Sequence, residues 1–354
     1  MTLTEVSFFS RKFAPFVILV VVVIFILFYS VKLIILYSEL NQPKIVELNP
    51  IFKEIRPVEI TDATTSATFS YSIDTVDGEP VTATDTAKVF FLPKNQAKFG
   101  YREKMYLMAK QVGIDTEVIK HRLENSINAI FEDGKRRLLV DITNFNFKYE
   151  VDIVRSPELF MQNETPDKDT AQNRAIDFLK SIDRYPDDLQ KGRMNVIFFK
   201  YDKESSKTAV LEDNTDANMV EIDFYRADID QFPIVSPSYF NSRNYVTMVV
   251  TNNDYQVVNA QVRLFEKSDG QVGLYPVIDG KTAYKRLQAG KGFIVSGSKL
   301  TTSEISIKHM FMGYYDPDTY QEYLQPVYVF LGDNNFVAYV VALTDKYLID
   351  LSKL

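Results

Sequence analysis

The chain has 354 residues, 46% hydrophobic and 25% charged, with a formal net charge of −7 and a pI near 5.1. That acidic balance argues against nucleic acid or an anionic lipid surface as the main partner, because both select a basic face. The sequence contains no cysteine, which excludes disulfides, thiolate nucleophiles, iron–sulfur clusters and Cys-ligated zinc.

The most decisive stretch is Phe13 to Tyr37, FAPFVILVVVVIFILFYSVKLIILY. From Phe13 to Val31 its one ionisable group is the Tyr29 phenol, and Lys32 is its only charge. A hydrocarbon core about 30 Å thick is crossed by roughly 20 apolar residues in a helix. Residues 13–37 are therefore expected to form a transmembrane helix, with Pro15 in its first turn, where a missing N–H costs little. A signal peptide would have a shorter apolar region of about 7–15 residues and a small-x-small cleavage site. Leu36-Tyr37-Ser38 is a poor site, so the helix reads as an uncleaved anchor. Arg11 and Lys12 precede it, which by the positive-inside rule leaves residues 1–12 cytoplasmic and the C-terminal part extracytoplasmic.

Residues 38–62 read as a linker. Pro43, Pro50 and Pro57 each block a continuous helix or a central strand, predicting an extended spacer. The rest is long enough for one large domain or two ordinary ones. Pro233 and Pro237 mark the expected boundary, giving an α+β region at 63–235 and a second α+β domain at 236–354.

In the first region, alternation predicts strands around Ala67–Ile73 and Thr86–Leu92. Met105, Met108, Ala109 and Val112 form one stripe of a helix from Tyr101 that Gly113 ends. A second helix is expected over Thr116–Asn128, then strands at Ala129–Phe131, Arg137–Ile142 and Asn144–Val154. Asp169–Ile182 is a helix by its apolar face. Met194–Tyr201 and Thr208–Leu211 read as a hairpin, and Met219–Tyr225 as a strand.

The second region repeats this grammar. Strands are expected at Tyr245–Val250 and Val257–Phe265 around an Asn252-Asn253 turn, then a short helix over Thr282–Gln288. Three more strands follow at Glu304–Tyr315, Gln325–Leu331 and Phe336–Leu343. Val196–Asp202 and Ile307–Asp316 share a pattern, which suggests two related units. The fold class is thus α+β: one transmembrane helix, then antiparallel sheets with short helices packed on them.

Motifs that could carry chemistry resolve into ordinary structure. His121 and His309 are the only histidines and read as structural. Asp279-Gly280-Lys281-Thr282 lacks the first glycine of a phosphate loop, since Tyr275 stands there; it reads as a turn feeding a helix. Ser296-Gly297-Ser298-Lys299 fits Ser-x-x-Lys, but two nearby glycines, Gly292 and Gly297, make it a loop rather than the helix that chemistry requires. Asp213, Asp216 and Asn218 lack the glycine of a calcium loop, and Glu221 is misplaced as its bidentate ligand. Asp316 and Asp318 flank Pro317 in what reads as a simple turn. Lys135-Arg136-Arg137 reads as a solvated turn flank, and Asn163-Glu164-Thr165 as a chance glycan triplet. No carboxylate pair stands out. No catalytic, cofactor-binding or metal-binding residue is assigned, no cofactor is expected, and the protein is expected not to be an enzyme.

A resemblance enters at the C-terminal end. Ala283-Tyr284-x-x-Leu287-x-x-Gly290, a strand reaching Gly313-Tyr314-Tyr315, then Leu324-Gln325-Pro326-Val327-Tyr328-Val329-Phe330 and Phe336-Val337-Ala338-Tyr339-Val340-Val341-Ala342 resemble the closing domain of YycH/YycI-type regulators. The resemblance implies a single-pass protein with an extracytoplasmic body of PepSY-like units that modulates a membrane sensor histidine kinase. Physically, Pro326 is expected to start a strand at a sheet edge, giving a rigid body with an edge or face for a peptide. The leading expectation is a membrane-anchored protein that binds an envelope or membrane protein partner. The alternatives are an envelope enzyme acting on wall polymers through paired carboxylates, and a structural subunit of an envelope or secretion complex.

Overall fold

The protein divides into two compact units, Met1–Glu47 and Leu48–Leu354. The structure, a computed structural model, describes residues 3–40, 47–60, 63–66, 69–97, 99–161, 163–251, 254–297 and 304–350. The first unit is one helix, Leu3–Leu40. Its segment Phe16–Tyr37 has a mean hydropathy of 3.0 and none of it is buried within the protein. Among the described residues it is the one helix long and apolar enough to cross a membrane. Val and Ile lower helix propensity in water, but in hydrocarbon the helix satisfies its own backbone.

The second unit is α+β and holds two nine-stranded sheets. Sheet II is antiparallel throughout. Its order is Arg122–Leu123, Asn128–Glu132, Arg136–Asp141, Phe147–Val151, Asp254–Val262, Tyr245–Thr251, Met219–Phe224, Met194–Asp202, Lys207–Leu211. Sheet I runs Thr64–Thr65, Phe293–Ser296, Phe336–Val341, Tyr323–Gly332, Glu304–Tyr315, Ile234–Val235. Ser70–Ile73 joins it in parallel beside Glu304–Ile307, and Thr86–Phe91 pairs with Val272–Pro276 and with Tyr323–Leu324.

Each sheet has its own core. On sheet II the helices Tyr101–Gln111 and Lys168–Ser181 bury Met105, Met108 and Ala109, and Ala171, Ala175 and Leu179, over Val220, Ile222 and Phe224. Those residues recur at helical spacing, so one apolar face is enough to seat each helix. Asp167 caps the second helix by accepting from the Thr170 N–H at 2.9 Å. On sheet I the helix Gly280–Gln288 contributes Ala283 and Leu287 to a core of Tyr328, Phe330, Phe336 and Tyr339.

Several expectations need correction. Thr116–Asn128 is not a helix; the strand Arg122–Leu123 lies within it. Asn125 Oδ1 accepts from the N–H groups of Ile127 and Asn128, and Asp115 Oδ1 from that of Glu117. These side-chain acceptors give the backbone an alternative to the helix ladder. The strand expected over Asn144–Val154 is confined to Phe147–Val151, because Phe145 takes a left-handed φ of 59°. Residues 48–60 are part of the body rather than a free spacer, since Ile55 and Val58 are 1% and 2% exposed in the sheet I core. The sheets do not follow the split at residues 235 and 236, as each takes strands from both sides of it. Pro326 lies inside sheet I, where the strand Tyr323–Gly332 changes its neighbour from Thr86–Phe91 to Phe336–Val341. The Asn252-Asn253 turn falls outside the described residues.

Candidate functional site

The strand Met219–Phe224 sits inside sheet II between Met194–Asp202 and Tyr245–Thr251. Its alternation sends Val220, Ile222 and Phe224 into the helix-covered core, so Glu221 and Asp223 share the opposite face. Glu221 stands in register with Thr247 and Ile197, and Asp223 with Tyr245 and Asn195. Glu221 Oε2 accepts from the Thr247 hydroxyl at 2.6 Å. Asp223 is 2% exposed, and its Oδ2 has no hydrogen-bond partner among the described residues. Among those residues, no Lys or Arg lies at ion-pair distance from either carboxylate.

Burial therefore dominates the electrostatics. It raises Glu221 above the usual carboxylate range, against the pull of the Thr247 bond. Burial, then the neighbouring Glu221 charge, push Asp223 up to about 7, while Asn195 pulls the other way. Asp223 thus keeps its proton to a higher pH than an ordinary carboxylate does. A cavity of about 320 Å³ opens over this face, edged by Glu150, Glu221, Thr247 and Asn259 above Phe199 and Met219. A second cavity, of about 560 Å³, lies between the sheets beside Tyr225, Tyr239, Phe240 and Phe311. Tyr239 and Phe240 pack edge to face there at 5.1 Å.

A buried ionic joint ties the sheets together. Arg226 follows the strand Met219–Phe224 and donates to Asp316 at 2.8 Å and to Asp188 at 2.6 and 2.8 Å. Burial alone would lower the Arg226 guanidinium, but Asp316 and Asp188 outweigh it and hold the charge. Arg243 donates to the carbonyls of Asp316 and Pro317 at 3.2 and 2.6 Å and pairs with Asp318 at 3.0 Å. Asp316-Pro317-Asp318 is thus the receiving end of this joint rather than a simple turn.

The other sequence candidates stay apart. His121 packs against Tyr106 and Phe131, with Nδ1 at 3.1 Å from the Tyr106 hydroxyl; His309 is exposed on sheet I. Burial, then the Arg102 charge, lower His121. Asp279 caps the helix Gly280–Gln288 by accepting from Thr282 N at 2.6 Å. A side chain at Gly280 would strike the Val81 carbonyl, so this turn packs on protein where a phosphate loop stays open. Asp213 Oδ1 accepts from Thr215 N, and Asn218 bridges the backbone of Tyr201, so these side chains serve turns. Asn163 Nδ2 donates to the carbonyls of Leu159 and Val250. Lys135, Arg136 and Arg137 pair with Glu158, Asp133 and Glu124. Ser296 ends a strand, while Ser298 and Lys299 fall outside the described residues. Among the described residues no group of three or more His, Asp or Glu is placed to hold a metal ion.

No family model matches the chain, and no curated protein matches it. Among solved structures, it is similar to the crystal structure of an uncharacterized protein from Eubacterium rectale ATCC 33656, at 13% identity and a TM-score of 0.38. That match covers 78% of this chain and 89% of the other. It is also similar to the Bacillus megaterium YpeB C-terminal domain at 11% identity and a TM-score of 0.26, over 71% of this chain and 95% of that domain.

Proposed function

We propose that this is a single-pass membrane protein whose extracytoplasmic body binds a protein partner in the membrane or envelope and regulates it, without catalysing a reaction. One observation carries the reading: among the described residues one helix, Phe16–Tyr37, has membrane length, and the α+β body that follows in sequence has an acidic, tyrosine-bearing sheet face. Arg11 and Lys12 support a cytoplasmic N-terminus. The resemblance of residues 283–342 to YycH/YycI-type regulators supports a membrane sensor kinase as the kind of partner.

Crosslinking in intact membranes, followed by affinity purification in mild detergent, tests it. The full-length protein recovers one defined partner, and a version with an unrelated span recovers less of it. Recovery of no partner protein overturns the reading. Because the chain has no cysteine, a single Ser205→Cys reports topology: labelling by an impermeant maleimide in intact cells is expected, and labelling only after lysis reverses the orientation.

The Glu221–Asp223 pair favours one second reading, an enzyme acting on wall polymers through two carboxylates. Residues two apart on a strand share one face and lie about 6.6 Å apart along it, so the two carboxylates stand side by side. Asp223, however, is 2% exposed and would have to move to meet a glycosidic oxygen. Turnover of wall polymer lost in Glu221→Gln would establish this reading in place of the first.

A further inference from the structure

Arg184 is a buried cation with no carboxylate at ion-pair distance among the described residues. It follows the C-terminus of the helix Lys168–Ser181, where Asp183 takes a left-handed φ of 54° and the Arg184 N–H bonds back to the Leu179 carbonyl at 2.8 Å. That turn sends the side chain inward, and the residue is 6% exposed. Its Nη2 donates to Asn146 Oδ1 at 3.2 Å, while its Nε has no partner among the described residues. Asn146 is already committed, since it clasps the backbone N–H and carbonyl of Leu264 at 3.2 and 3.0 Å. Burial lowers the Arg184 guanidinium, and Glu266 and Asp183 oppose this only from beyond ion-pair distance.

Burying a guanidinium against one neutral amide is costly, because desolvation is not repaid by an ion pair. An anion entering beside it would supply the missing pair, and the planar fork of Arg matches a carboxylate by two parallel bonds. Arg184 lines a cavity of about 430 Å³ between the sheets, a size ordinary for a small-ligand site. Its apolar walls include Leu139, Phe147, Leu264 and Tyr320. Four cationic and three acidic side chains line it, which leaves one positive charge uncompensated. That favours a monoanion over a phosphate dianion.

We propose that this cavity binds a carboxylate carried on an apolar body, with the Arg184 fork on the carboxylate and the body against Leu139, Phe147 and Tyr320. Both a free organic acid and the C-terminal residue of a polypeptide present this chemistry. The site is independent of the Glu221–Asp223 face and of the proposed protein partner.

Calorimetric titration of the full-length protein in nanodiscs tests it with 4-phenylbutyrate, 4-phenylbutanol, N-acetyl-Ala-Phe as acid and as amide, and inorganic phosphate. Saturable binding of at least one of the two carboxylates is expected, without binding of its neutral analogue. Arg184→Met should weaken it about ten-fold or more, the usual worth of a charge-assisted pair. Leu139→Trp, which keeps Arg184 and fills the cavity, should weaken it likewise, so the test survives if Arg184→Met does not fold. Preference for the dipeptide acid assigns a polypeptide C-terminus, and preference for phenylbutyrate a free acid. Binding of neither carboxylate, binding unchanged in the variants, or binding of phosphate alone overturns the proposal.

Discussion

Arg226 Nη1 donates to Asp316 Oδ1 at 2.8 Å, although the residues are 90 apart in sequence. Their side chains are 2% and 5% exposed. One guanidinium thereby joins the end of a sheet II strand to the end of a sheet I strand, and its remaining donors hold Asp188. Such a joint has one arrangement that satisfies every member, so it fixes how the sheets meet.

Removing the cation should therefore be severe. Arg226→Met leaves Asp188 and Asp316 facing each other without the guanidinium that both of them bond, and a loss of about 3–5 kcal/mol is expected. Guanidinium unfolding followed by tyrosine fluorescence measures it. A loss below about 1 kcal/mol would mean the pair is dispensable.

Asp223 sets a pH dependence of unusual sign. Burial, then the Glu221 charge, hold it at about 7 when folded, against the usual 3.8. Between those limits the folded state binds more protons than the unfolded one, so stability falls as pH rises towards and through about 7. Asp223→Asn should remove that slope and stabilise the body at pH 8 by about 1–3 kcal/mol. Urea unfolding at pH 5 and at pH 8 gives the comparison; equal slopes in the two proteins would place the titration elsewhere.

Asn146 substitutes for a missing stretch of strand pairing. It gives Leu264 a donor and an acceptor beyond the last paired residues, Phe147 and Val262. Asn146→Ala should cost about 2–4 kcal/mol, because it strips those backbone groups and the one partner of Arg184 together. Hydrogen exchange at the Leu264 amide should accelerate with it, and unchanged protection there would contradict the role.

The turn between the short helix Asp187–Gln190 and the strand Met194–Asp202 needs a glycine for space. A Cβ at Gly192 would collide with the Tyr225 carbonyl oxygen, which is backbone and cannot swing aside. Gly192→Ala is expected to destabilise by about 1–3 kcal/mol, read as a lowered Tm. The same change at Gly270, which has open space around it, should be close to neutral.

What could be read from the sequence follows from how local each signal is. Phe16–Tyr37 is legible because composition alone decides it. The strand Phe147–Val151 and the stripe of Met105, Met108 and Ala109 are legible because a period of two or of 3.6 survives in any short window. The Glu221–Asp223 pair does not stand out in the sequence, because two acids alternating with Val220, Ile222 and Phe224 are a pattern shared by any half-solvated strand. Its burial comes from the strands Met194–Asp202, Tyr245–Thr251 and Asp254–Val262, of which the local pattern knows nothing. The Arg226 joint and the Arg184 cavity are assembled from distant residues, so no spacing announces them. Thr116–Asn128 misled because Asn125 and Asp115 turn the backbone with their own side chains, at positions a helical window reads as neutral.

The interleaving of sheet I has a consequence for synthesis. Thr64–Thr65, Ser70–Ile73 and Thr86–Phe91 leave the ribosome early, yet their neighbours belong to Val272–Pro276, Phe293–Ser296, Glu304–Tyr315 and Tyr323–Gly332. These early segments stay unmatched while nearly the whole body is translated, and closure over so long a loop is slow. A nascent chain stalled before residue 270 therefore carries these three strands and Ile234–Val235 as orphans beside a sheet II that already has all of its described strands, which makes interrupted translation the moment of greatest risk for clumping.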